Sequence, residues 1–456
     1  MKNTNLLNLI ASHEAGQNEV AVYSETSTLY FEDMRRGAPH YYGKSVLLLF
    51  EDPAELVRAL IAIDGLALAM CVVPASASVK EIEYLLSLTS FDYLLTDKKD
   101  ELCSVLACNS LEITHLNTVT KANQTDVAKS SIETKWLLLT SGTTSLPKMV
   151  EHTLATLVTA AGGGMANSNG LTSNWGLLYD PTRYAGLQVT LKSLITRSSL
   201  IAPNITNDIS SKLKFLSKHK VSHLSATPTL WRRILMSPEA NLSTLTQIVL
   251  GGEASDQAIL DALSSKYLAA KITHVYASTE AGVAFHVSDG LAGYPAEFLD
   301  KNRNVKIKIV EDILFLRSDR AASRYYNEKA LKDEDGWINT GDLVSFQNGR
   351  FYIVGRVSGI INIGGDKVIP EKIRETLLEH SDVLEVRVFG KKNPFTGMLL
   401  MAEVVVADTA REDDYSVVLK KYLEKKLPKP SVPSIIKLVD KIEIGGTGKM
   451  EYRSDE

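Results

Sequence analysis

LLLTSGTTSLPKMVEH, residues 137–152, sets three leucines against a run of hydroxyls, glycine and lysine. Thr140, Ser141, Thr143 and Thr144 surround Gly142, and Lys148 follows. An apolar strand that opens at once into so many donors suits a loop that meets an anion. Consecutive backbone N–H groups in such a turn form a concave nest. Hydroxyls add donors, and a lysine adds a point charge. The stretch reads as a turn from a buried strand into a helix, whose positive end would add to the attraction. It is not the common NTPase loop, which needs G-x-x-x-x-G-K followed by Ser or Thr. A surface Ser/Thr/Gly loop would look the same in isolation, so the rest of the chain decides.

Outward from this loop, short apolar runs alternate with helical patterns. SVLLLF (45–50) precedes the helical PAELVRALIAI, CVVPAS follows, and KEIEYLLSLTS leads to DYLLTD. The same rhythm continues through TLATLVTAAGGG, SLIAP, VSHLSATPTLWRRIL, QIVLGGEAS and ITHVYAST. Strands alternating with helices predict an α/β fold with parallel sheets covered by helices. Trp231 reads as a core or groove anchor. After about residue 300 the pattern changes. VKIKIVEDILFLRS and GRFYIVGRV read as antiparallel strands, with NEKALKDEDGWINTGDL as a loop-rich connector. A final unit of about 100 residues, from near Gly355, reads as a small α+β domain.

Bulk properties narrow the function classes. A chain of 456 residues is too long for one ordinary core. Its 45% hydrophobic and 23% charged content is that of a soluble globular protein. With a net charge of only -4 and no Lys/Arg stripe, a nucleic-acid partner is not expected. Cys71, Cys103 and Cys108 form a sparse, odd set that suits a reducing compartment. No secretory leader and no membrane span is expected from the apolar runs, so the expected location is cytoplasmic.

Four further motifs follow the opening loop. They are VYASTEAG (275–282), DGWINTGDL (335–343), GRVSGIINIGGDKV (355–368) and GGTGKMEYR (445–453). With TSGTTSLPKMV (140–150), these resemble, in order, the signatures of the adenylate-forming (AMP-binding) superfamily. That superfamily comprises acyl-CoA synthetases, adenylation enzymes and luciferases. The GGTGK stretch is not an NTPase loop either: Glu443 stands where its first glycine belongs, and Met450 replaces the Ser or Thr.

The resemblance implies a fold and a chemistry. The fold would be a large N-terminal domain (1–354) of packed parallel sheets with helices plus a distorted β-barrel. A hinge (355–358) and a small mobile C-terminal lid (359–456) would follow. The chemistry would be activation of a carboxylic acid by ATP to an acyl adenylate, with release of pyrophosphate. Thioester formation would come next, with coenzyme A or with the phosphopantetheine thiol of a carrier protein. A non-catalytic nucleotide-binding relative is the alternative from another class. Two anions must meet in the first step, so positioning and charge neutralisation matter most.

The resemblance also assigns roles. Thr140, Ser141, Gly142, Thr143, Thr144 and Lys148 would hold the β- and γ-phosphates. Thr279 would meet the α-phosphate and Glu280 would bind Mg²⁺, for which a carboxylate is a suitable hard ligand. Tyr276 would lie against the adenine, with Ala277 and Ser278 beside it. Gly252, Glu253 and Ala254 would line the base and the acyl group. Asp342 and Arg356 would serve the ribose, and Lys449 would bridge the carboxylate and the α-phosphate. YDPTRYAG (179–186) falls where relatives carry an aromatic or His beside the carboxylate. Arg183, Tyr184 and Gly186 are therefore the candidate acyl pocket, with Arg183 pairing to an anionic or polar group of the acid. The sequence departs from the family pattern at Ser145, Met149, Leu154, Ala277 and Ser358.

Overall fold

The computed structural model describes residues 5–456 except 12–18, 106–110, 119–131, 141–146, 163–172, 205, 240, 300–304, 327–329, 364, 394–396, 408–409, 411–413 and 444–456. Two large mixed sheets dominate the N-terminal part. Ser45–Leu49, Ala69–Val72, Tyr93–Thr96 and Lys135–Thr140 are parallel neighbours within a seven-stranded sheet. Asn174–Leu177, His223–Ala226, Gln247–Gly251 and Lys271–Ser278 run parallel in an eight-stranded sheet. The expected parallel sheets thus carry antiparallel additions: Gly282–Val287 folds back on Lys271–Ser278, and Lys148–Thr153 folds back on Lys135–Thr140.

Strand periodicity explains the layering. Leu47 and Leu49 face one apolar core, while Val46 and Leu48 face another. The second core also takes Val22, Leu177 and Leu200 from the eight-stranded sheet, and Leu56, Leu60, Leu187 and Leu191 from two helices. Those helices, Pro53–Ile63 and Tyr184–Ile195, are therefore packed between the sheets. Local signals start the helices where expected. Asp52 caps Pro53–Ile63 by accepting from the Ala54 N–H at 2.9 Å. Thr227 caps Pro228–Met236 by accepting from the Leu230 N–H at 3.1 Å.

Two expectations need correction. The phosphate-loop candidate does not lead into a helix. Lys148–Thr153 is a strand paired with Lys135–Thr140, Lys148 opposite Thr140, and the helix begins only at Leu154. Met149 and Val150 are buried on opposite sides of this strand, a pattern a helix of that length would not give. The described chain that follows the loop is therefore strand, not a helix start. Next, INTGDL is not connector: Ile338–Gln347 is a strand of a five-stranded antiparallel sheet. Its register shifts opposite Ile313–Phe315, where Thr340 and Gly341 (φ 69°) interrupt the alternation, and this hid it. Tyr294–Pro295 and Lys306–Val310 are the outer strands of that sheet.

The smaller C-terminal part has its own core, including Val368, Leu377, Val386, Leu400 and Leu419. Its three-stranded sheet joins Val383–Asn393, Gly397–Val406 and Ile435–Leu438. Among the described residues no helix is long and apolar enough to cross a membrane. Cys71 is fully buried in the seven-stranded sheet, and burial pushes its thiol up to about 12.

One buried polar cluster ties the N-terminal helix to the first sheet. Asp64, which interrupts an otherwise apolar stretch, accepts from the Leu6 N–H at 2.7 Å and from Trp136 Nε1 at 2.8 Å. Arg36 donates to the Asp64 carbonyl at 3.0 Å. Burial pushes the Asp64 carboxyl up to about 6. Trp136→Phe removes the indole donor and part of the ring volume at a fully buried site. It should lower unfolding stability by about 1–3 kcal/mol, the cost of leaving a buried acceptor short. Urea denaturation measures this, and an unchanged midpoint would show the bond contributes nothing.

Candidate active site

Open α/β sheets offer ligands the loops beyond the C-terminal ends of their parallel strands. At that edge of the eight-stranded sheet lie Tyr179–Asp180, Thr227, Gly252–Ala254 and Ser278–Glu280, each directly after a strand. Thr279 and Glu280 occupy the three-residue turn of a hairpin between Lys271–Ser278 and Gly282–Val287. Ser278 Oγ accepts from the Ala281 N–H at 3.0 Å and tightens that turn. Gly282 closes it at φ 73°, where an added Cβ would stand 2.5 Å from the Arg320 carbonyl oxygen. Only glycine suits both constraints.

The turn is held by its backbone. The Thr279 carbonyl accepts from His152 Nε2 at 2.7 Å, and the Glu280 carbonyl accepts from the Ala322 N–H at 2.8 Å. Neither bond uses the Thr279 hydroxyl or the Glu280 carboxylate. His152 was missed in the sequence. The available signal was spacing: Lys148 and His152 lie four apart on one strand and so share a face.

Lys148 and Glu280 are brought together by Tyr325, a second residue sequence reasoning missed. The Lys148 ammonium lies 5.3 Å from the centre of the Tyr325 ring. The Tyr325 hydroxyl donates to Glu280 Oε1 at 3.2 Å.

A second cluster gathers Tyr276, Asp342 and Arg356. The Tyr276 ring stacks on Phe285 at 4.9 Å, and its hydroxyl donates to Asp342 Oδ2. Arg356 Nε donates to Asp342 Oδ1 at 2.7 Å. Burial, then the Asp342 charge, pushes the Tyr276 phenol well above its usual range. Burial opposes the Arg356 charge, but Asp342 outweighs it and holds the guanidinium above its ordinary value. Each carboxylate oxygen has two lone pairs, so Asp342 keeps capacity for ribose hydroxyls.

The remaining candidates take varied places. Gly252 adopts φ 82° directly after its strand. The neighbouring Glu253 turns its carboxylate to Thr229, accepting from its N–H at 3.1 Å and its hydroxyl at 2.6 Å. Arg183 Nη1 donates to the Leu139 carbonyl at 3.1 Å, which seats its guanidinium beside the strand that enters the phosphate loop. Its Nε is buried and meets no acceptor among the described residues. Tyr184 is buried beside His152, at 5.7 Å between ring centres. Gly186 answers a packing need, since an added Cβ would stand 2.1 Å from the Asp180 carbonyl oxygen. Asp180 itself accepts from the Thr182 N–H and hydroxyl and closes a turn. Ser141, Gly142, Thr143, Thr144 and Lys449 lie outside the described residues.

The donor set fits a magnesium ion only in company. Among the described residues no group of three or more His, Cys, Asp or Glu side chains could hold a metal alone. One carboxylate shared with phosphate oxygens and water is how Mg²⁺ commonly binds at nucleotide sites. Glu280 on its hairpin turn meets that requirement.

Burial pushes His152 down to about 4, although its bond to the Thr279 carbonyl acts in the opposite direction. An unfolded histidine titrates near 6.5. Between these values the unfolded chain binds the extra proton. The stabilising contribution of neutral His152 is thus complete above about 6.5 and is lost as pH falls through about 4. The His152 ring resonances should stay in the neutral form on titration from pH 8 to 5. Half-titration near 6.5 would show the imidazole is not buried as described.

Residues 39–313 match the profile of the AMP-binding enzyme family, and residues 372–449 match the AMP-binding enzyme C-terminal domain. The chain is 24% identical over 438 residues to the 2-succinylbenzoate–CoA ligase of Bacillus cytotoxicus, covering 90% of this chain and 88% of that one. It is 26% identical over 265 residues to acyl-CoA synthetase 7 of Caenorhabditis elegans, covering 54% of this chain and about half, 49%, of that longer protein. The o-succinylbenzoate CoA synthetase of Bacillus subtilis, solved with its acyl-adenylate intermediate, shares the fold. Its TM-score is 0.73 at 21% identity, over 99% of both chains. With more than half its length matched by the family profile, the chain belongs to the AMP-binding enzyme family.

Proposed function

We propose that this protein is an AMP-forming acid–thiol ligase: it activates a carboxylic acid with ATP and passes the acyl group to coenzyme A. The observation that carries this reading is the meeting of motif residues far apart in sequence. Lys148 and Glu280 converge on Tyr325, and Tyr276 and Arg356 converge on Asp342. One cluster suits phosphates and the other a nucleoside. The names of relatives as CoA ligases support coenzyme A as acceptor.

The residues divide the work as follows. Lys148, with the hydroxyls and N–H groups of 140–144, holds the phosphates that leave. Thr279 meets the α-phosphate that the acid attacks. Asp342 accepts from the ribose hydroxyls, and Tyr276 packs against the base with Ala277 and Ser278 beside it. Gly252 to Ala254 line the space between base and acyl group. Arg183, Tyr184 and Gly186 form the segment on the acid side. A magnesium ion shared by Glu280 and the phosphates would offset the charge that repels the incoming carboxylate. Lys449 does the same at the reacting centre.

The domain division proposed is 1–354, a hinge at 355–358 and a lid at 359–456. Gly355 at φ 154°, against Ile369 and Glu371, and the short 3₁₀ turn Val357–Gly359 support a pivot there.

A hydroxamate-trapping screen over acids of different size and charge identifies the substrate class. Lys449→Ala should reduce acid-dependent pyrophosphate exchange by about 10²–10³-fold while ATP still binds. A variant within twofold of wild type would remove Lys449 from the site. No exchange by wild type with any of the acids tested would instead favour a non-catalytic nucleotide-binding protein. Acyl transfer to carrier-protein phosphopantetheine but not to coenzyme A would change the acceptor.

A further inference from the structure

The geometry points to Tyr325 as a positioning residue that sets the phosphate end of the site: its hydroxyl orients the Glu280 carboxylate and its ring seats the Lys148 ammonium. This rests on the ligase reading above and deepens it.

Tyr325 lies on the two-residue strand Arg324–Tyr325, which adds antiparallel to the edge of Lys148–Thr153. Its backbone is fixed on both sides. The Ser323 N–H donates to the Glu151 carbonyl and the Tyr326 N–H to the Met149 carbonyl, each at 2.8 Å. The Arg324 guanidinium grips Glu151 Oε2 through Nε at 3.2 Å and Nη2 at 3.1 Å. Tyr326 reaches Thr89 Oγ1 at 3.1 Å. Three residues before Tyr325, the Ala322 N–H holds the Glu280 carbonyl at 2.8 Å. One short segment therefore clasps both the lysine strand and the Glu280 turn.

The side chain then makes one contact to each charged group. A phenol donating to Oε1 at 3.2 Å fixes the carboxylate plane and leaves lone pairs for a cation. A ring whose centre lies 5.3 Å from the Lys148 nitrogen favours one region for the ammonium. The two roles use different parts of the tyrosine, so they can be separated. Tyr325→Phe deletes the hydroxyl and keeps the ring. Tyr325→Leu deletes both.

Calorimetric ATP binding, measured across Mg²⁺ concentrations without any acid present, reads both roles. Tyr325→Phe should raise the Mg²⁺ midpoint by about three- to tenfold, with ATP affinity at saturating Mg²⁺ within about twofold of wild type. Tyr325→Leu should add a loss of about three- to tenfold in ATP affinity at saturating Mg²⁺. In a Glu280→Gln background, Tyr325→Phe should shift the Mg²⁺ midpoint no further, because the group it orients is already gone. This cycle decides the hydroxyl role even if Tyr325→Leu folds poorly. An unchanged midpoint in Tyr325→Phe, or an equal shift in the Glu280→Gln background, would overturn the assignment. Wild-type protein that binds no ATP would overturn the ligase reading itself, a result distinguishable because it needs no variant.

Discussion

The Asp342 carboxylate is the constraint on which the site turns. It sits in the middle of a strand of the five-stranded sheet, almost wholly buried. A carboxylate removed from water is costly unless hydrogen-bonded and paired. Asp342 meets that demand with Tyr276 from the eight-stranded sheet and Arg356 from the last residue of the neighbouring strand. Satisfying one buried charge thereby fixes the angle between two sheets and the point where the chain leaves for its C-terminal part. The Tyr276 ring, stacked on Phe285 and backed by Tyr294 and Phe351, transmits that fixity into an apolar core.

Glu280 is placed by a different logic. Its hairpin turn is short, closed by Gly282 and pinned through carbonyls to His152 and Ala322. Backbone pins leave side chains for chemistry. A neutral imidazole suits such a pin, because burial disfavours the imidazolium and the Lys332 charge acts in the same direction. Rigid support from strand edges is what a site needs when catalysis consists mainly of positioning charges.

How much of this was legible in the sequence depends on the range of the interaction. Tyr276, Glu280, Asp342 and Arg356 stood in short motifs whose spacing survives in one dimension. The parallel strands announced themselves because both of their faces are buried and their apolar runs are continuous. Tyr325 and His152 escaped because each acts on a partner more than 40 residues away, through contacts that no local pattern encodes. The strand nature of Lys148–Thr153 was masked by the turn residues before it. Ile338–Gln347 was masked by Thr340 and Gly341, whose bulge breaks the alternation a strand normally shows. Gly186 looked like a pocket residue but answers to the Asp180 carbonyl; only the folded backbone shows that.

The contact between the two parts of the chain is of another kind again. Arg233 grips Glu385 through two nitrogens, and Arg374 donates to Thr229 Oγ1 at 2.8 Å, next to Glu253. These are guanidinium bonds to side chains at the rim of the sheet edge, not an extension of the apolar cores, which stay within each part. Burial, with Asp256 second, pushes Glu375 up to about 7, so water is largely kept from this surface, as it is from Glu385. The proposed pivot at 355–358 contains Arg356, the residue that bonds Asp342. A lid that turned there would trade the Arg233 and Arg374 contacts while the nucleoside cluster stayed in place. The two contacts differ in reach: an anchored carboxylate ties two sheets of the N-terminal part together, and largely buried arginine bonds tie that part to the C-terminal one.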